Sequence, residues 1–298
     1  MNTLVVIVGP TGVGKTALCM DVAERLNTVI INADSRQMFN EIPIGTAAPT
    51  EEERRRIKHY FVGNLNIGDY YNASMFENDV IKLLGNLFKE NEKVIMSGGS
   101  MMYVDAVCNG IDDIPSVKED VRREVQDYYE QNGLEAACQM LKSLDPDYYD
   151  IVDRKNHKRV IHAIEICLST GKMYSSFRTN AKKKRPFRLV KIGLTREREE
   201  LYRRIDVRVD RMMDDGMLEE VRKVYPYRNT NSLNTVGYKE LFDYLDGKYS
   251  LDEAIFKIKC NTHKYCRKQL TWFKRDKDIR WFSPDNVEEI INYISNFD

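Results

Sequence analysis

Continuous apolar runs of strand length alternate with stretches of helical spacing through the first third of the chain, a pattern that predicts parallel strands joined by helices. Leu4, Val5, Val6, Ile7 and Val8 form the first run, Val29, Ile30 and Ile31 the second, and 93–97 another. Such unbroken runs suit strands covered on both faces. Residues 59–62 predict one more strand. Between the runs, 17–26 predicts a helix with Leu18, Val22 and Leu26 on one face, and 51–58 a short charged helix. Residues 75–90 predict an amphipathic helix through Phe76, Val80, Leu83, Leu84 and Leu87. Residues 41–49 read as a loop, and a helix starts at 101–108.

The rhythm stops after Asn109. Segments 117–131, 134–144 and 156–169 all have helical spacing, with no strand between them. Lys182, Lys183, Lys184, Arg185 and Pro186 then form a basic, helix-ending linker. Residues 189–194 return to strand pattern, and 234–240 is a polar loop feeding a helix. One long helix is predicted over 250–274, a last strand over 279–282 and a terminal helix over 287–297.

The chemistry begins at the end of the first run. Gly9, Pro10, Thr11, Gly12, Val13, Gly14, Lys15 and Thr16 match the phosphate-loop template in its required setting between strand and helix. Glycines let the backbone point N–H groups at an anion, the helix adds its positive end, Lys15 supplies a cation and Thr16 an oxygen for Mg²⁺. The expected fold is therefore α/β: a P-loop NTPase-like core with a parallel sheet flanked by helices, over 1–113 and 186–298. An all-helical insertion domain is expected over 114–185.

Two more strand ends carry polar groups where open α/β sheets bind ligands. Asp34, Ser35, Arg36 and Gln37 follow the second run; Asp34 suits a base or acceptor, or else the cap of the next turn. After 93–97, where phosphate-loop ATPases commonly place a metal-holding Asp, stand Gly98, Gly99 and Ser100. The Ser100 hydroxyl can serve a ligand or cap a helix. Arg204, Arg208 and Arg211 share a helical face, as a pyrophosphate clamp or as partners of nearby acidic residues. Basic residues interleaved with Tyr265, Trp272 and Phe273 suit nucleic-acid phosphates and stacked bases, or a helix whose aromatics are core.

The chain has 298 residues, 42% hydrophobic and 31% charged, with zero formal net charge, enough for a large core. Charge is segregated nonetheless. Eleven Lys/Arg face two Asp/Glu over 151–190, against four and eleven over 112–150, as suits a polyanion site on a neutral body. No run approaches the roughly 18 apolar residues of a membrane span, so a cytoplasmic protein with no membrane association is expected. The six cysteines show no zinc spacing.

Several motifs occur in one order. Gly9-Pro10-Thr11 with Gly14-Lys15-Thr16 comes first, then Asp34-Ser35 with Gln37 and Phe39, then Gly45-Thr46-Ala47, then Gly98-Gly99-Ser100 with Met102-Tyr103. Arg159 with Ala163 and Glu165, Gly171-Lys172, Gly237-Tyr238 with Glu240, and Arg267 with Gln269 and Thr271-Trp272 extend the series. Over nearly its full length the chain resembles the bacterial tRNA dimethylallyltransferase (IPP transferase) family.

The resemblance implies transfer of a dimethylallyl group from dimethylallyl diphosphate to N6 of the adenosine 3′ of the anticodon. It implies Mg²⁺ on Thr16, and Asp34 and Ser100 as catalytic residues, Ser100 standing where the family usually has Thr. Residues 9–16 and Arg208 are the expected diphosphate ligands. The tRNA anticodon stem-loop is expected to meet Asp34, Ser35, Arg36, Gln37, Ser100, Arg122, Lys158, Arg159, His162, Arg267 and Gln269, in a monomer. Phe39, Pro43 and Ala48 replace the family's Tyr, Asp and Lys, which argues against charged substrate contacts from the Gly45 loop. A small-metabolite kinase and a nucleotide-dependent RNA-binding module are the competing readings.

Overall fold

The computed structural model describes residues 1–179 and 181–297. Two compact units emerge, Met1–Cys108 with Lys184–Asp298, and Asn109–Lys183. In the first, β1 (Thr3–Val8) enters α1 (Lys15–Arg25) through the glycine loop, and Gly14 caps the helix at φ 106°, a left-handed conformation that a side chain would strain. Next come β2 (Ile30–Asn32), α2 (Pro43–Thr46), α3 (Glu51–Arg56) and β3 (His59–Tyr60). α4 (Ala73–Leu87), β4 (Lys93–Gly98) and α5 (Met101–Asn109) follow.

The second unit holds α6 (Glu119–Leu144), α7 (Pro146–Ile151) and α8 (His157–Thr170). The chain then returns as β5 (Arg188–Leu194), α9 (Arg198–Asp214), α10 (Met217–Val224), α11 (Tyr238–Leu245), α12 (Leu251–Phe273), β6 (Arg280–Phe282) and α13 (Val287–Ser295).

The six strands order as β3-β2-β4-β1-β5-β6, every pairing parallel. β1 is buried at every position because both its faces are covered, and its alternating side chains feed two cores. Val5 and Ile7 join α1 and α13, whereas Leu4, Val6 and Val8 join α4 and α5. Each such side chain contributes about 1.5–3 kcal/mol by leaving water. A third core packs α9, α10, α11 and α12 against Phe39, Ile42 and Ile67. Because the sheet is parallel, the ends of β1, β2 and β4 open on one edge, with Val8 beside Gly98 and Asn32 beside Ser97.

The insertion builds its own core from Val125, Leu141, Val160, Ile164 and Ile166. Asp145, fully buried, accepts from the amides of Tyr148 and Ser175 and from the Ser175 hydroxyl, so its burial is compensated.

Some expectations need correction. The supposed loop 41–49 contains the single turn α2, started by Pro43, whose fixed φ suits a first helical position. The strand expected over 59–62 stops at Tyr60, since Phe61 takes a left-handed φ of 61°. Segments 117–131 and 134–144 run as α6, broken internally at Gly133. Among the described residues no helix is long and apolar enough to cross a membrane.

Candidate active site

Three loops at the carboxyl edge of the sheet line a cleft of about 1480 Å³, together with α2, α9 and α12. The glycine loop is held from behind. Arg204 donates to the Gly12 carbonyl at 2.8 Å and Arg196 to the Val13 carbonyl at 3.0 Å. With its carbonyls engaged there, the loop keeps N–H groups for an anion. Arg196 is itself fixed by Asp285 and Glu200.

Part-buried Lys15 donates to the carbonyls of Gly9 and Pro10 at 2.8 and 2.9 Å. Its ammonium is pulled down to about pKa 8, by desolvation first and then by the positive charge of Arg208, against the opposing pull of Asp34. Arg208 is lowered for the same reason, with Asp34 again opposing. Among the described residues neither cation forms a salt bridge. Two desolvated cations, both in the field of one carboxylate, make a site that an anionic group would relieve.

Asp34 leaves β2 at the loop's flank. Its Oδ1 accepts from the Arg36 amide at 3.0 Å, so it does cap its own turn, while the field of its carboxylate reaches Lys15, Arg36, Arg208, Tyr103 and Tyr265. Burial pushes Tyr103 up to about 12 and Tyr265 higher still, so both phenols stay protonated at neutral pH. The Ser100 hydroxyl accepts from the Ser35 amide at 2.8 Å and donates to the Ser35 hydroxyl at 3.0 Å, locking the loops after β2 and β4 together. Gly98 makes that approach possible: a Cβ there would lie 2.2 Å from the Ala33 carbonyl.

Gln269, expected to face RNA, is instead 1% exposed. Its Oε1 accepts from the Thr11 amide and its Nε2 donates to the Gly99 carbonyl, each at 2.9 Å, so it joins the glycine loop to the turn after β4. Phe273 is buried in the core, and the Trp272 indole donates to Asp105, so these aromatics are core rather than stacking platforms. Arg267 remains exposed, donating to the Tyr202 hydroxyl. Gln37 donates to the carbonyls of Thr46 and Ala47, and Thr16 is exposed at the start of α1.

Residues 37–276 match the model of the IPP transferase family. The chain belongs to that family. A tRNA dimethylallyltransferase of Phocaeicola vulgatus is 59% identical over 293 residues, 98% of either chain. That of Cytophaga hutchinsonii is 45% identical over 98% of this chain and 96% of its own. Among solved structures, the tRNA isopentenylpyrophosphate transferase of Bacillus halodurans superposes with a TM-score of 0.73 at 34% identity, covering 99% of this chain and 96% of that one. A eukaryotic dimethylallyltransferase described as acting on tRNA gives 0.82 at 26% identity, covering 100% and 77%.

In this IPP transferase the remaining expected contacts lie on the insertion. Lys158, Arg159 and His162 are exposed along α8, while Arg122 on α6 stands 3.9 Å from buried Glu165. His162 lies 3.5 Å from the same carboxylate. Motif reading alone missed Arg196 and Glu220. Arg196 could have been found by the rule that singled out Asp34, since it follows directly on a strand.

Proposed function

We infer that the chain is a tRNA dimethylallyltransferase, carrying the five-carbon group of dimethylallyl diphosphate to N6 of the adenosine 3′-adjacent to the anticodon. The N6–carbon bond forms as the carbon–oxygen bond to diphosphate breaks, and one N6 proton must leave. The observation that carries the reading is the cleft itself, where an acidic side chain and two desolvated cations share one field.

Asp34 accepts the N6 proton or orients N6 by hydrogen bonding, its turn held rigid by Arg36 and by the Ser35–Ser100 lock. The amides of residues 12–16, with Lys15 and Arg208, take the charge that develops on the departing diphosphate. Lys15 exchanges its loop carbonyls for diphosphate oxygens on binding. Ser35, Arg36 and Gln37 line the mouth toward the adenosine. The base must be extruded from its stack to enter, and the exposed Lys158 and Arg159 of the insertion, with His162 and half-buried Arg122 beside them and Arg267 of α12, suit the anticodon stem-loop's phosphates. Gln269 positions the loops.

The residues present fit Mg²⁺ as a shared ion. No cluster of three or more His, Cys, Asp or Glu suited to a metal occurs among the described residues. The exposed Thr16 hydroxyl would therefore be one protein ligand, with diphosphate and water supplying the rest, a common Mg²⁺ arrangement. When bound, the ion would neutralise leaving-group charge. We propose a cytoplasmic monomer as the working unit.

Incubation with labelled dimethylallyl diphosphate and unmodified tRNA tests the reading: label should move to tRNA, with diphosphate released. ATP consumption without prenyl transfer would indicate a kinase, and tRNA retained unmodified a binding module.

A further inference from the structure

The Gly237-Tyr238-x-Glu240 motif lies outside the chemistry above, yet it is tied to the cleft through an unbroken series of hydrogen bonds. Glu240 accepts from the Gly237 amide and from Asn261 of α12, each at 2.7 Å, which fixes the start of α11. Tyr238, fully buried, then donates its hydroxyl to Glu220 at 2.5 Å. Glu220, 6% exposed on α10, accepts from the amides of Ile44 and Gly45, both at 2.8 Å.

A carboxylate so buried, with three donors converging on it and no salt bridge among the described residues, is satisfied by a tyrosine hydroxyl and a backbone turn. Tyr238 packs directly beneath that turn, where a Cβ on Gly45 would lie 2.5 Å from its hydroxyl. The turn's opposite side faces the cleft. Its carbonyls receive Gln37 at 3.1 and 3.0 Å, and Arg208 donates to the Thr46 carbonyl at 3.4 Å.

We propose that Glu220 and Tyr238 are positioning residues for the prenyl donor, acting through the 43–47 turn to aim Arg208 at the diphosphate. The proposal rests on the transferase reading above and adds to it a determinant of donor binding outside the cleft wall. One side of the turn is clamped by a carboxylate; the other presents a carbonyl that orients a guanidinium. Releasing the clamp lets the carbonyl swing, and Arg208 loses its aim while Asp34 and the glycine loop stay in place. The family's charged residues at 43 and 48 are Pro43 and Ala48 here, so in this chain the turn acts through its backbone.

The test uses the full chain, unmodified tRNA and dimethylallyl diphosphate. Glu220→Gln turns an acceptor into a donor facing N–H groups, and Tyr238→Phe removes only the hydroxyl. Either should raise KM for the donor, by about tenfold and about threefold respectively, with kcat and KM for tRNA near wild type and the melting temperature of Tyr238→Phe lowered by only a few degrees. In an Arg208→Ala background the same substitutions should change KM for the donor less than about twofold, since their effect passes through that side chain. Should Glu220→Gln fail to fold, Tyr238→Phe decides alone. Unchanged KM for the donor, effects fully additive with Arg208→Ala, or a lowered melting temperature alone would overturn the proposal. Failure of the transferase reading would show separately, as no prenyl transfer by the wild type.

Discussion

The cations of the two units are set in opposite environments. At the cleft, Lys15 and Arg208 are part-buried and desolvated, without a salt bridge among the described residues, and their charged forms are disfavoured. On the insertion, Lys158 and Arg159 stand exposed to water at the start of α8. A desolvated cation is destabilising until an anion arrives, and then interacts strongly because water is already gone. A solvated one is nearly neutral to the fold and attracts a polyanion in a way that salt screens. The first arrangement suits one specific diphosphate; the second suits a long backbone met over many weak contacts.

That contrast can be tested first at its carboxylate. Asp34→Asn keeps an oxygen for the Arg36 amide and so preserves the turn, but it cannot accept a proton; single-turnover prenyl transfer should fall by about 10²–10⁴-fold with donor binding retained. Wild-type turnover would remove Asp34 from the mechanism. Lys15→Met should lower kcat/KM for the donor by about two orders of magnitude, yet melt at or above the wild-type temperature by calorimetry, because it removes a desolvated charge.

A pH series comes next in size. Lys15 sits near pKa 8 in the free enzyme, below an ordinary lysine, so its charged form is lost as pH rises through that value. The kcat/KM for dimethylallyl diphosphate should therefore fall by up to tenfold per unit above about pH 8; a plateau to pH 10 would contradict it. The same shift means that Lys15 disfavours the ligand-free fold below about pH 8 and that this penalty fades as pH rises further. The smallest effects belong to the insertion. Lys158→Ala and Arg159→Ala should each raise KM for tRNA a few-fold, reduce the salt dependence of binding by about one counterion, and leave KM for the donor untouched. A matching loss of donor affinity would erase the contrast.

What the sequence made legible follows the range of the interaction. The glycine loop, the parallel strands and the helical insertion were readable because motif and periodicity are local properties. The bracing of the site was not. Thr11 and Gln269 are 258 positions apart, Val13 and Arg196 are 183, and Gly45 and Glu220 are 175. Gln269 is expected at the RNA through the family resemblance alone, and only the packing of α12 against the sheet turns it inward. Trp272 and Phe273 left two readings open, stacking platform or core, since aromatic spacing cannot say which face of a long helix is covered.

The reach of Gln269 also bears on how the molecule comes into being. The glycine loop is synthesised well before it is fully braced, since one of its clamps follows some 258 residues later and β1 must wait for β5 to flank it. A nascent chain cut short anywhere before α12 would carry the whole glycine-loop motif and still lack the ties that join it to the Gly99 turn. Diphosphate affinity should thus be acquired late in translation, so that partial products do not sequester the prenyl donor.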